Sequence, residues 1–165
     1  MIKFSKSKIC TMKTIEYYLM RHSSYYGNEN QYVNHDGFIT LQHSVSRLKA
    51  ELEEKFPKKN LRIIHSVLPR AKHTALLMQE MMTDVKTFCR SDPRLNSDKL
   101  QIDDDYINEV VSYCEKENEI CLILSHEPDI KDFCKKKLKT SEWVKMSTEI
   151  KDKPAQESES DDLPF

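Results

Sequence analysis

Short β-rich runs alternate with helix-forming segments along most of this chain, and that alternation limits its fold more than any other feature. Residues 14–20 (TIEYYLM) are β-branched, aromatic and aliphatic, and read as a strand. Residues 61–66 (LRIIHS) and 120–125 (ICLILS) read the same way, and residues 86–90 as a weaker strand. A polar loop is expected over residues 21–37. Thr40 is placed to cap a helix running to about Lys55, with Leu41, Val45, Leu48 and Leu52 on its apolar face. Pro69 and Pro128 suit the first turns of helices that run to about Val85 and Leu138. Residues 102–117 carry Tyr106, Val110, Val111 and Tyr113 behind several first-turn acids, and read as a further helix. Strand–helix repeated four times predicts an α/β fold, three layers α/β/α around a mostly parallel central sheet. Such a sheet binds ligands beyond the carboxyl ends of its strands.

At 165 residues the chain suits one domain, expected over residues 14–150. A basic arm over residues 1–13 and an acidic, solvated tail over residues 151–165 flank it. The 26 basic and 27 acidic side chains leave a formal charge of -1, which argues against nucleic-acid binding. No apolar run approaches the roughly 20 residues that span a bilayer, and residues 1–13 lack the apolar core of a secretory signal. The cysteines number five, with no CxxC pair, so reduced thiols in a cytoplasmic protein are expected, without a metal cage. There are only two glycines, Gly27 and Gly37. A glycine-rich phosphate loop, whether Walker A or GxGxxG, is therefore excluded. Side chains and helix N-termini must grip any bound phosphate.

Three predicted strands end in residues suited to that task. The first runs into Arg21-His22-Ser23, the second into Ser66-Val67-Leu68-Pro69-Arg70, and the last into Ser125-His126-Glu127-Pro128. In a parallel sheet two arginines and two histidines converge at one edge, with Arg70 and His126 near helix N-termini that favour an anion. Two guanidinium forks can hold phosphoryl oxygens. A neutral imidazole can attack phosphorus and carry it as a phosphoramidate, and cationic neighbours favour the neutral form. A second histidine can stabilise the charge that builds on the transferring group. His35, His43, His65 and His73 are read as structural.

These segments resemble the histidine phosphatase superfamily, also described as phosphoglycerate mutase-like. Leu19-Met20-Arg21-His22-Ser23 is similar to its strand-end Arg-His-Gly, and residues 66–75 (SVLPRAKHTA) to its Ser-Pro-Leu-x-Arg-Ala-x-Gln-Thr-Ala. Residues 122–128 (LILSHEP) resemble its apolar run ending in Ser-His, and residues 37–43 (GFITLQH) a Pro-Leu-Thr-x-x-Gly helix start. The resemblance spans roughly residues 14–138. It implies His22 as a transiently phosphorylated nucleophile, Arg21 and Arg70 on the phosphoryl oxygens, and His126 completing the pocket. Ser23 and Glu127 would border the substrate. No metal or organic cofactor is implied. Ser23 and His43 stand where the family has glycine, Val67 where it has proline and His73 where it has glutamine.

Larger members of the family protonate an alkoxide leaving group with a glutamate, and Asn96 occupies the corresponding stretch here. Asp92, Asp98 and Glu127 are candidate substitutes, each also readable as part of a solvated loop or helix start. The missing acid and the missing lid insertion resemble the compact SixA-type phosphohistidine phosphatases. The expected function is therefore hydrolysis of phosphohistidine on a protein by a monomeric enzyme. A phosphatase of small phosphomonoesters and a non-catalytic phosphate- or phosphoprotein-binding module are the alternatives.

Overall fold

The computed structural model describes residues 11–95 and 102–151. Strand β1 covers Met12–Arg21, β2 Asn60–His65, β3 Thr87–Ser91, β4 Glu119–Ser125 and β5 Trp143–Lys151. Helix α1 covers His35–Lys55, α2 Pro69–Met81, α3 Asp104–Lys116 and α4 Glu127–Cys134, with a single 3-10 turn at Pro93–Leu95. The five strands form one sheet in the order β3-β2-β4-β1-β5. The first four are mutually parallel, and β5 runs antiparallel to β1 along the whole of that strand's exposed edge, from Met12 opposite Lys151 to Met20 opposite Trp143.

Both faces of the sheet are covered, which explains why β4 is apolar at nearly every position and buried throughout. On one face α1 and α2 bring Leu41, Val45, Leu48, Leu52, Ala75 and Met78 onto Tyr18, Met20, Ile63 and Leu122. On the other, α3 and α4 bring Tyr106, Ile107, Val110, Val111 and Ile130 onto Tyr17, Leu19, Ile64 and Ile123. Neighbouring residues of β1 thus serve opposite cores, as the period of a strand requires. Each such fully buried aliphatic contributes roughly 1.5–3 kcal/mol relative to exposure.

Two sequence expectations are corrected here. Helix α1 starts five residues before Thr40. Asn34 caps it, its side-chain oxygen accepting from the backbone N–H of Gly37 at 2.8 Å. Thr40 lies inside the helix and returns its hydroxyl to the carbonyl of Asp36 at 3.0 Å. The second correction is β5, which the sequence reading passed over. Val144, Met146 and Ile150 alternate onto the core with polar residues between them, and Lys145 pairs with Glu16 across the strands at 3.3 Å. Smaller boundary shifts accompany these. β1 takes in Met12 and Lys13 from the expected arm, α2 stops at Met81, and α4 stops at Cys134. Most of that arm, the tail beyond Lys151 and the residues Asn96 and Asp98 lie outside the described residues. Among the described residues no helix is long and apolar enough to cross a membrane.

Candidate active site

The carboxyl ends of β1, β2 and β4 lie side by side, with Arg21 opposite Ser125 and His65 opposite Leu124. The three motifs that follow these strands therefore emerge at one level of the sheet. His22 follows β1, Arg70 sits in the first turn of α2, and His126 is the N-cap residue of α4. Two helix N-termini thus border the same space, as expected for an anion site.

His22 and His126 are only 5% and 3% exposed, and their rings lie 5.3 Å apart between centroids. The Nδ1 of His22 lies 2.9 Å from the carbonyl oxygen of Ser23. A carbonyl can only accept, so Nδ1 carries the proton and Nε2 keeps its lone pair. The His22 backbone is tied on both sides, its N–H donating to Ser125 and its carbonyl accepting from Ser141. Burial is the largest influence on its acidity and lowers its pKa to about 4. The bond to Ser23 opposes this, while Arg70 and Arg21 deepen it. His126 is lowered to about 4 by burial first, then by His22, Arg70 and Arg21. Sequence reasoning credited the cationic neighbours with keeping the imidazole neutral; in the structure desolvation leads and the arginines assist.

His126 Nε2 meets the Ser66 hydroxyl at 3.1 Å, and its buried Nδ1 has no hydrogen-bond partner among the described residues. Arg21 donates from Nη1 to the carbonyl of Leu138 at 3.1 Å and pairs with Glu127 at 3.3 Å. Glu127 also pairs with Lys137 at 3.6 Å. The Nε atoms of Arg21 and Arg70 are buried without a partner among the described residues. The structure thus brings Arg21, His22, Arg70 and His126 together, with Glu127 beside Arg21.

Ser23 is fully buried. Its hydroxyl accepts from Ser141 at 2.7 Å, and its backbone N–H donates to Thr74 at 3.1 Å. The Ser23 side chain is therefore held by a partner from the turn before β5. Ser141 adopts a left-handed backbone there, φ 64°. Asp92, read as a possible acid in a solvated loop, is instead buried. It accepts from Tyr106 Oη at 3.0 Å and from Arg94 Nε and Nη2 at 3.1 and 3.0 Å. Those bonds anchor the end of β3 and leave Asp92 committed. His65 is buried and donates from Nδ1 to Ser66 at 2.8 Å. His73 accepts from the Val33 N–H at 2.8 Å, while His35 and His43 are exposed.

Sequence reasoning gave no role to Ser66 and Thr74 and missed Tyr25 and Ser141 as parts of this region. The plainest omission is Tyr25. Its ring stands edge-on to His22 with centroids 5.6 Å apart, and the guanidinium of Arg70 lies 5.1 Å above it. Its hydroxyl accepts from Arg70 Nη1 at 3.4 Å. Nothing in a polar loop marks one tyrosine among Tyr25, Tyr26 and Tyr32; the other two are exposed. Among the described residues no three or more His, Cys, Asp or Glu side chains are grouped as a metal site.

No protein-family model matches the chain, and no curated protein matches it in sequence. Solved structures do share its fold. The native structure of a mycobacterial glucosyl-3-phosphoglycerate phosphatase aligns with TM-score 0.57 at 15% identity, covering 82% of this chain and 91% of that one. The protein histidine phosphatase SixA complexed with tungstate aligns with TM-score 0.56 at 14% identity, covering 73% and 74%. SixA from Agrobacterium tumefaciens aligns with TM-score 0.50 at 13% identity, covering 71% and 72%. At these identities the likeness is one of fold, and it is the three-layer, mostly parallel architecture that the sequence motifs imply.

Proposed function

We propose that this protein is a phosphatase of the histidine phosphatase type, acting through a phosphohistidine intermediate on His22. The observation that carries the reading is the His22 ring itself. It is buried and neutral, its proton is fixed on Nδ1 by the Ser23 carbonyl, and its Nε2 lone pair is free beside two guanidiniums. Arg21 and Arg70 would hold the phosphoryl oxygens, and the helix ends at Arg70 and His126 would add N–H donors. His126 would stabilise the charge on the transferring group, its protonation favoured once a dianion sits between the rings.

Within that class the reading is a SixA-like protein phosphohistidine phosphatase. Its support is that the two candidate acids among the described residues are engaged: Asp92 is saturated by Arg94 and Tyr106, and Glu127 is paired with Arg21 and Lys137. A phosphoramidate bond to imidazole breaks without a strong dedicated acid, so a site of this kind suits it. The likeness in fold to SixA agrees with this reading. The alternative, a phosphatase of small phosphomonoesters, draws support from the position of Glu127 at 3.3 Å from Arg21. The first arm of a test is hydrolysis of a phosphohistidine-bearing carrier domain and of p-nitrophenyl phosphate. The expected result is turnover of the carrier, lost at least roughly 10³-fold in His22→Ala. An acid-labile, alkali-stable label should appear on His22. Equal activity of wild type and His22→Ala on both substrates would sink the proposal.

A further inference from the structure

If His22 is the nucleophile, the leaving group departs from the opposite side of phosphorus and needs a proton. The carboxylates described above are spoken for, since Asp92 accepts from two side chains and Glu127 is held by two cations. Tyr25 is differently placed. Its ring packs on His22 and under Arg70, so a phosphoryl group held by both would come within reach of its hydroxyl. Its oxygen accepts from Arg70 Nη1 at 3.4 Å, which directs the phenolic proton away from the guanidinium. That proton is bonded to no acceptor among the described residues, and a phenol can donate as readily as it accepts.

We propose that the Tyr25 hydroxyl is the proton donor to the leaving group, and that it opens this site to alkyl phosphomonoesters as well as to phosphohistidine. The inference rests on the phosphatase reading. In the first half-reaction His22 Nε2 forms a bond to phosphorus while the bond from phosphorus to the bridging oxygen breaks. The departing oxygen takes the Tyr25 proton and leaves as an alcohol. Arg70, stacked on the ring, stabilises the phenolate that remains. In the second half-reaction water attacks phosphorus and the P–N bond breaks. Tyr25 recovers its proton from that water, and inorganic phosphate is released. The His22 proton stays on Nδ1, donated to the Ser23 carbonyl, throughout.

Tyr25→Phe keeps the ring, its contact with His22 and its stacking with Arg70, and deletes only the hydroxyl. Wild type, Tyr25→Phe and His22→Ala are compared on glycerol 2-phosphate, whose alkoxide needs the proton, and on p-nitrophenyl phosphate, whose leaving group does not. Tyr25→Phe is expected to lose roughly 10²-fold in kcat on the alkyl phosphate, in the range of general acid catalysis. That loss should exceed its loss on p-nitrophenyl phosphate at least tenfold. Equal losses on the two substrates overturn the proposal. So does a wild type that hydrolyses phosphohistidine but not the alkyl phosphate. A wild type inactive on every substrate, or no different from His22→Ala, fails the phosphatase reading itself, and this proposal falls with it.

Discussion

Ser23 shows how one residue is made acceptable where a smaller one is expected. Its hydroxyl accepts from Ser141 at 2.7 Å, which fixes the side chain in a fully buried position. The same turn sends the Ser141 N–H to the His22 carbonyl, so a single residue steadies both members of the His22-Ser23 pair. Ser23→Gly removes the acceptor and loosens the backbone, and should cost about 1–2 kcal/mol of stability. Ser141→Ala should cost a similar amount. In chemical denaturation the double variant should lose clearly less than the two single losses added, because both changes break one bond. Full additivity would show that the bond contributes nothing. At this scale the sequence was most informative where a polar residue directly follows an apolar run. Arg21, His22 and His126 were legible because each lies where an apolar run ends, and Arg70 because Pro69 opens a helix before it. Tyr25 and Ser141 were not legible. Their positions depend on how two loops fold back, and loop residues carry no periodicity to read.

Elements were legible to the extent that they were apolar. β4, buried on both faces, is unmistakable in sequence. β5 is half-exposed at the edge of the sheet, and its core-facing residues Val144, Met146 and Ile150 are separated by Lys145, Ser147 and Glu149. Its alternation was present, but polar residues diluted it. The start of α1 was misplaced for a different reason: Thr40 can cap a helix in isolation, and the structure caps the helix with Asn34 instead. A Cβ on Gly37 would lie 2.3 Å from the Ser24 carbonyl oxygen, so only glycine lets this helix end approach the loop after His22. Asn34 fixes the same contact from its side chain, donating to Ser24 Oγ at 3.0 Å. Gly37→Ala should therefore displace a backbone atom, not a flexible tip. It is expected to cost about 1–3 kcal/mol, as overpacking in a closed site does. The midpoint of denaturant unfolding measures this, and an unchanged midpoint would show that the Ser24 segment yields freely.

For the whole molecule, the site stores a tension between charge and burial that should appear in its stability. Two arginines and two buried histidines share one sheet edge, and both histidines are lowered to about 4. In the unfolded chain a histidine titrates near 6.5. Between about pH 6.5 and 4 the unfolded state therefore binds protons that the folded state refuses, and stability is lost as pH falls through that window. A dianion in the pocket reverses the local field and lets the folded histidines take up those protons. Sulfate stays dianionic across the range and tests this without titrating itself. At 100 times its dissociation constant a ligand adds roughly 2.7 kcal/mol, which for a domain of this size is roughly 5–10 °C in Tm. The shift should be larger at pH 5 than at pH 8. Sulfate also stabilises proteins by exclusion from their surfaces, so the quantity to read is the difference between wild type and Arg70→Met. That difference should carry the pH dependence. A wild-type shift equal to that of Arg70→Met at both pH values would mean that the four side chains do not act together on an anion.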